Sequence, residues 1–212
     1  MELEEMRRTY GLGELLEDQV DADPIVQFER WLANAVSFGV AEPNAMVLAT
    51  VDATGRPSAR TVLLKGIDQR GFVFYTNQES RKGAELAANP LCALVFPWHT
   101  MERQVRVEGT ATKLLQDEVD AYFASRPRGS QLGAWASQQS QPVESREELD
   151  LQYASYERQW PEGTEIATPY FWGGYRIKPD FLEFWQGRTG RLHDRLAYRR
   201  TGDTWQLQRL QP

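Results

Sequence analysis

Several short stretches of this chain carry cationic and hydroxyl side chains at spacings that suit the recognition of a phosphate or a carboxylate. In RTVLLK, residues 60–65, Arg60 and Lys65 bracket a strand-like run and fall on opposite faces if the strand is regular. Arg81 and Lys82 follow Tyr75-Thr76-Asn77 and open a short helix capped by Ser80. Backbone N–H groups and cations together suit an anion there, yet a solvated helix start with routine charges fits the spacing somewhat better. Tyr122, Arg126 and Ser130 recur every four residues, so a continuous helix would present them on one face. Pro127 and Gly129 stop that helix near Arg126 and leave Ser130 on the following turn. Two hydroxyls and a guanidinium would suit a phosphate monoester, while an exposed arginine at a helix end is the commoner case.

The segment WQGRTGRLHDR, residues 185–195, points more firmly to a ligand. Trp185 leads into a glycine-containing loop, after which Arg191, His193 and Arg195 alternate and share one side of an extended chain. Three such side chains on one face are costly unless an anion or an electron-rich ligand lies against them, which puts a ligand slightly ahead of a surface edge strand with solvated charges. Other chemistries find little support. Two histidines, His99 and His193, and one cysteine, Cys92, form no cluster at metal spacing. No serine sits in a nucleophile elbow, and no GxGxxG or Walker loop is present.

These residues hang on a succession of short elements. Asp23-Pro24 starts a helix whose Ile25, Phe28, Leu32 and Ala35/Val36 share a face, and Gly39 ends it. Strands are predicted over 45–51, 58–65, 71–76, 91–96, 104–114, 171–177, 181–186, 195–200 and 204–210. Helices are predicted over 79–89, 116–125, 131–137 and 144–160, the last with Leu149, Tyr153, Tyr156 and Trp160 on one face. Turns rather than crossover helices join the early strands, which favours an antiparallel barrel or sheet. Residues 1–22 read as a mobile N-terminal arm, and residues 23–212 as a single domain.

Charge is distributed unevenly. Residues 1–23 hold eight acids against Arg7 and Arg8, which accounts for the whole net charge of −6. The remainder balances 22 acids with 22 bases, so it lacks the basic excess of a nucleic-acid binder. The absence of a long apolar run, the polar start and the lone cysteine suit a cytoplasmic protein that neither spans nor enters a membrane.

Read together, RTVLLK (60–65), FYTNQESRKG (74–83), FPWHTMERQVRVEG (96–109), YFASRPRGSQLGAWASQQS (122–140), FWGGYRI (171–177) and FWQGRTGRLHDRLAYRR (184–200) resemble the pyridoxine/pyridoxamine 5′-phosphate oxidase family. The resemblance runs from about Arg7 to the C-terminus. It implies a mainly β fold with flanking helices, the FMN-binding split β-barrel, and a homodimer with FMN at its interface. Carried over residue by residue, FMN would meet Arg60, Thr61, Val62, Leu63, Leu64, Lys65, Tyr75, Thr76, Arg81, Lys82, Gln104, Gln139, Ser140, Trp185 and Arg195. The substrate phosphate would meet Lys65, Tyr122, Arg126 and Ser130. Arg191 and His193 would act as catalytic residues facing the substrate ring, with Arg7, Arg8 and Tyr10 closing over it.

The activity so implied is oxidation of pyridoxamine and pyridoxine 5′-phosphates to pyridoxal 5′-phosphate, part of vitamin B6 salvage, with oxygen reduced to hydrogen peroxide. In that scheme the flavin carries the redox chemistry and the protein supplies orientation and electrostatics. The stretch GLGELLEDQVDADP after Tyr10 is acidic where family members often carry bases. Three other readings compete: oxidation of a different substrate such as a phenazine precursor, a flavin or pyridoxal phosphate carrier without turnover, and a nucleic-acid- or heme-binding barrel, for which a basic surface and an evident axial ligand are lacking. The Tyr122, Arg126 and Ser130 set argues against the first, and the Arg191 and His193 pair against the second.

Overall fold

The computed structural model describes residues 3–6 and 8–212. Helix α1 (Pro24–Phe38) begins where the Asp23 carboxylate accepts the Ile25 N–H, with proline at the first helical position. It ends at Gly39, whose φ of 81° is a conformation that only glycine adopts without steric cost. Its buried face is Ile25, Phe28, Trp31 and Ala35, while Val36, expected there, is exposed.

Nine strands follow: β1 (Ala45–Val51), β2 (Pro57–Leu63), β3 (Gly66–Asp68), β4 (Gly71–Asn77), β5 (Leu91–Trp98), β6 (Arg103–Lys113), β7 (Trp172–Gln186), β8 (Asp194–Thr201) and β9 (Thr204–Arg209). They form one antiparallel sheet in the order β2-β1-β5-β6-β7-β4-β3, with β8 on β7 and β9 on β8. The two ends of that order, β2 and β3, are consecutive in the chain. In the short link between them the Lys65 N–H donates to the Val73 carbonyl of β4 at 2.8 Å, so the sheet curls back on itself. This curled half-barrel, flanked by α2 (Arg81–Ala88), α3 (Gln116–Ala124), α4 (Arg128–Ala136) and α5 (Arg146–Gln159), is the mainly β split-barrel class expected.

Two details depart from the sequence reading. The three-residue β3 is too short to carry a pattern. Strand β7 is one 15-residue strand where two were predicted. Pro179 has no N–H to give the ladder, and the register opposite it slips between Glu108 and Gly109, so a bulge takes up the break. Before the bulge β7 pairs with β4, and after it with β8. The two halves of β7 therefore carry Trp172 and Trp185 into different arms of the sheet.

Phe28 and Trp31 pack onto Phe72, Phe96, Trp98 and Phe184 with ring centroids 4.7–6.5 Å apart. Burying each such ring contributes roughly 2–3 kcal/mol. A second cluster joins Phe123, Leu132 and Ile166 to Tyr153, Tyr156 and Trp160, three of the four residues that the spacing places on one helix face; Leu149 is not among them. The N-terminal arm lies along the sheet from Tyr10 onward. Leu15 enters the core, the Tyr198 hydroxyl donates to the Asp21 carbonyl at 2.7 Å, and Arg209 and Arg188 pair with Glu17 and Glu14 at 2.7 and 3.1 Å. The acids concentrated at the N-terminus thus meet arginines of β9 and of the loop before β8.

Candidate active site

Strand β2 ends the strand order, so one of its edges has no strand beside it. A groove of about 260 Å³ opens along the segment and is lined by Arg60, Thr61, Val62, Leu63 and Lys65, by Tyr75, Thr76 and Lys82, and by Tyr122, Arg126, Gln139 and Trp172. Eleven of these twelve were expected to bind a ligand; Trp172 was not. Arg60 and Lys65, expected on opposite faces, line the same groove because β2 stops at Leu63 and the chain turns into β3. Leu64 is buried in the core and does not line it.

The groove is cationic. Lys82 is buried, and its ammonium donates to Gln139 Oε1 at 2.8 Å and Thr76 Oγ1 at 3.2 Å. Burial, and then the charge of Arg60, pull its pKa below the ordinary lysine value, with Glu85 opposing. The Arg126 guanidinium stacks 4.2 Å over the Trp172 ring and 5.6 Å from Phe123, and its Nη1 is buried without a partner. Tyr75 and Tyr122 stack with centroids 3.7 Å apart, and burial raises the pKa of both phenols. An unpaired buried guanidinium nitrogen is costly unless something accepts from it. An anion in the groove would do so.

Glu85 was not singled out in the sequence. It is buried and touches two of the expected ligand residues, Arg60 at 3.0 Å and Arg81 at 2.8 Å. Burial alone would push its carboxyl up; hydrogen bonds from Thr50, Ser58, Arg81 and Arg60 outweigh that and hold it at about 2. With the folded pKa depressed, its contribution to stability is full above the ordinary carboxylate range and is lost as pH falls towards about 2. The four-residue spacing to Arg81 on one helix was the available signal. Likewise Glu183, buried on β7, holds Arg106 at 3.0 Å and Arg195 at 2.8 Å.

A second group of expected residues lies elsewhere. Arg8, Tyr10, Gln104 and Trp185 line a pocket of about 460 Å³ with Glu102 and Arg103, and no residue lines both this pocket and the groove. Tyr10 packs edge-on against Trp185 at 5.8 Å and against His193 at 5.6 Å. The Glu102 carboxylate accepts the N–H groups of Gly11 and Leu12 at 2.8 and 2.9 Å, which fastens the arm over Trp185. A Cβ on Gly187 would lie 2.8 Å from Tyr10 Cγ. Gly187→Ala is therefore expected to loosen the arm, with roughly tenfold faster proteolysis before Leu12. Unchanged cleavage kinetics would contradict that docking.

The His193 Nδ1 accepts the Arg188 N–H at 3.1 Å, so its proton resides on Nε2. Burial, and then the nearby Arg191, pull its pKa below 6.5, which keeps the ring neutral at pH 7. Arg191, His193 and Arg195 do not share one side of a strand as their alternation predicts. Gly190 and Arg191 both adopt left-handed φ, at 64° and 62°, and β8 begins only at Asp194. Arg191 is exposed, and Arg195 turns to Glu183 and the Gln211 carbonyl. Ser130, on α4, and Ser140 are exposed and line neither the groove nor the Tyr10 pocket; Arg81 lies beside Arg60 through Glu85. Arg7 lies outside the described residues.

Residues 32–159 match the family described as pyridoxamine 5′-phosphate oxidase, and residues 172–212 match the pyridoxine 5′-phosphate oxidase C-terminal dimerisation region. A pyridoxine/pyridoxamine 5′-phosphate oxidase of Rubrobacter xylanophilus is 61% identical over 98% of this chain and 95% of its own length. One of Cupriavidus taiwanensis is 57% identical over 100% of this chain and 99% of its own. Among solved structures, PhzG from Burkholderia lata 383 in complex with tetrahydrophenazine-1-carboxylic acid superposes with a TM-score of 0.89 at 34% identity, covering 95% of this chain and 100% of that one. A pyridoxamine 5′-phosphate oxidase-related, FMN binding protein from Nostoc punctiforme has the same fold, with a TM-score of 0.72 at 18% identity over 87% of this chain and 97% of that one.

Proposed function

Because the chain belongs to the pyridoxine/pyridoxamine 5′-phosphate oxidase family, we propose that it binds FMN and oxidises pyridoxine and pyridoxamine 5′-phosphates to pyridoxal 5′-phosphate, with oxygen reduced to hydrogen peroxide. The observation that carries this reading is the cation surplus of the groove beside the open edge of β2. Lys82 is buried against neutral partners, Arg126 keeps an unpaired nitrogen, and Arg60 shares its one carboxylate with Arg81. That surplus suits phosphate monoesters, which both the cofactor and the substrates carry. A substrate lacking phosphate would leave Arg126 unanswered.

In this reading Arg60, Arg81 and Lys82 hold the phosphate of FMN, with Thr76, Gln139 and Ser140 as neighbouring polar groups. The backbone of residues 61–65 and Tyr75 meet its ring. When bound, FMN supplies the acceptance of a hydride and its return to oxygen. Lys65, Tyr122, Arg126 and Ser130 hold the substrate phosphate. The second group (Gln104, Trp185, Arg191, His193 and Arg195) falls within or beside the C-terminal region that the family describes as dimerising. A homodimer would bring this group from one copy to the groove of the other, and would complete a site that one chain leaves divided. Arg8 and Tyr10 of the arm then exclude water from the substrate.

His193 presents an Nε2–H donor and holds no free basic nitrogen at Nδ1, so its role is to orient the substrate ring. Nitrogen NMR of histidine-labelled protein is expected to find His193 as the Nε2–H form at pH 7, titrating below pH 6.5. A protonated Nδ1 in the neutral ring would contradict this role.

The deciding experiment mixes FMN-loaded protein with pyridoxine 5′-phosphate without oxygen and follows the visible absorbance of the flavin. Bleaching is expected, with recovery and pyridoxal 5′-phosphate formation when air is admitted. A flavin left unbleached by both phosphates, in folded protein, would sink the assignment. It would favour a substrate of another class, such as the phenazine compound bound in the PhzG structure.

A further inference from the structure

We propose that Glu85 is a positioning residue for the phosphate of the flavin, because its carboxylate holds the Arg60 and Arg81 guanidiniums together beside Lys82. The inference rests on the FMN reading above and concerns a residue that touches neither ligand nor groove. Glu85 is absent from the groove's lining, whereas Arg60 and Lys82 form part of it.

Five contacts fix the carboxylate. The Thr50 hydroxyl donates to Oε2 at 2.5 Å, and the Ser58 hydroxyl lies 2.9 and 2.7 Å from the two oxygens. Arg60 Nη2 donates to Oε2 at 3.0 Å and Arg81 Nε to Oε1 at 2.8 Å. Arg60 also donates to the same Thr50 and Ser58 hydroxyls and to the Leu48 carbonyl. Each hydroxyl accepts from Arg60 and donates its own hydrogen bond to the Glu85 carboxylate. The guanidinium is thereby tied to β1, β2 and α2 at once.

The charges explain why such a tie is needed. Arg60 and Lys82 line the groove, Arg81 stands beside Arg60 across Glu85, and Glu85 is the one acid set against these three cations, which leaves an excess of two positive charges. A phosphate monoester carries nearly two negative charges at neutral pH. Without the carboxylate, the three cations repel one another. The Arg81 side chain, already 58% exposed, is free to swing into water. Removing one negative charge would by itself favour phosphate, but that carboxylate lies behind the guanidiniums and is already matched by them. Loss of orientation is therefore expected to outweigh the gain in charge.

The test uses full-length protein stripped of flavin and titrated with FMN and with riboflavin, following flavin fluorescence. Riboflavin lacks the phosphate, so the ratio of the two affinities isolates the phosphate site. Glu85→Gln is expected to lower that ratio about tenfold with riboflavin affinity unchanged. A wild-type protein with no preference for FMN would defeat the FMN reading itself. A wild-type preference that Glu85→Gln retains or increases would overturn the positioning role, as would equal losses for both flavins. Should Glu85→Gln not fold, Ser58→Ala carries the same test: a ratio lowered about threefold is expected, and an unchanged ratio overturns the proposal.

Discussion

Replacing Arg126 with methionine is expected to raise KM for pyridoxine 5′-phosphate by about 100-fold or more, while turnover of unphosphorylated pyridoxine is left as it was. The guanidinium is held by stacking on Trp172, not by a carboxylate; among the described residues no acid pairs with it. Its N–H groups are therefore uncommitted, and one of them is buried without an acceptor. A phosphate that accepts two charge-assisted hydrogen bonds there gains roughly 1.5–3 kcal/mol from each. Methionine preserves much of the packing on the indole and removes only the donors. Steady-state kinetics with the two substrates separates the outcomes. An equal loss for both would mean that Arg126 supports the fold of the α3–α4 junction and not the phosphate. No loss for either would place the substrate phosphate elsewhere.

How far this arrangement was legible in the sequence depends on whether the cause was local. The Asp23-Pro24 start and Gly39 end of α1 are decided by a cap, a fixed φ and a left-handed residue, all within reach of a short window. The basic residues of the groove were visible as types. Their convergence was not, because it requires β2 to stop at Leu63 and bring Lys65 round to the side of Arg60. The alternation of Arg191, His193 and Arg195 misled for the same kind of reason. Two consecutive left-handed residues rotate Arg191 out of the strand pattern, and no composition rule signals that.

The carboxylates were the least legible. Glu85, Glu102 and Glu183 look like ordinary surface charges in the sequence, yet each organises residues far from it along the chain. Their partners lie between 12 and 91 positions away, apart from Arg81. Burial set by the curl of the sheet converts an acid into a clamp, and burial of that origin leaves no local trace. The same curl explains the divided site. The bulge at Pro179 sends the Trp172 half of β7 to the groove and the Trp185 half to the pocket under Tyr10.

Substitution of Lys82 by methionine is expected to move stability and binding in opposite directions. Its ammonium is buried, touches only neutral oxygens at 2.8–3.4 Å, and faces the repulsion of Arg60. A buried cation without a contacting carboxylate is a cost that folding must carry. Methionine has a similar length and no charge, so the flavin-free variant is expected to gain about 1 kcal/mol and melt a few degrees higher. The same change removes a donor from the phosphate of FMN in a site shielded from water. Affinity for FMN is expected to fall about 100-fold, with riboflavin affected much less. Calorimetry of the flavin-free protein and fluorescence titration measure the two arms separately. If the variant melts lower and binds both flavins equally poorly, Lys82 is a structural residue and the groove is not built around a phosphate. If stability rises while FMN binding falls, the lysine is kept at the expense of the fold, for the anion alone.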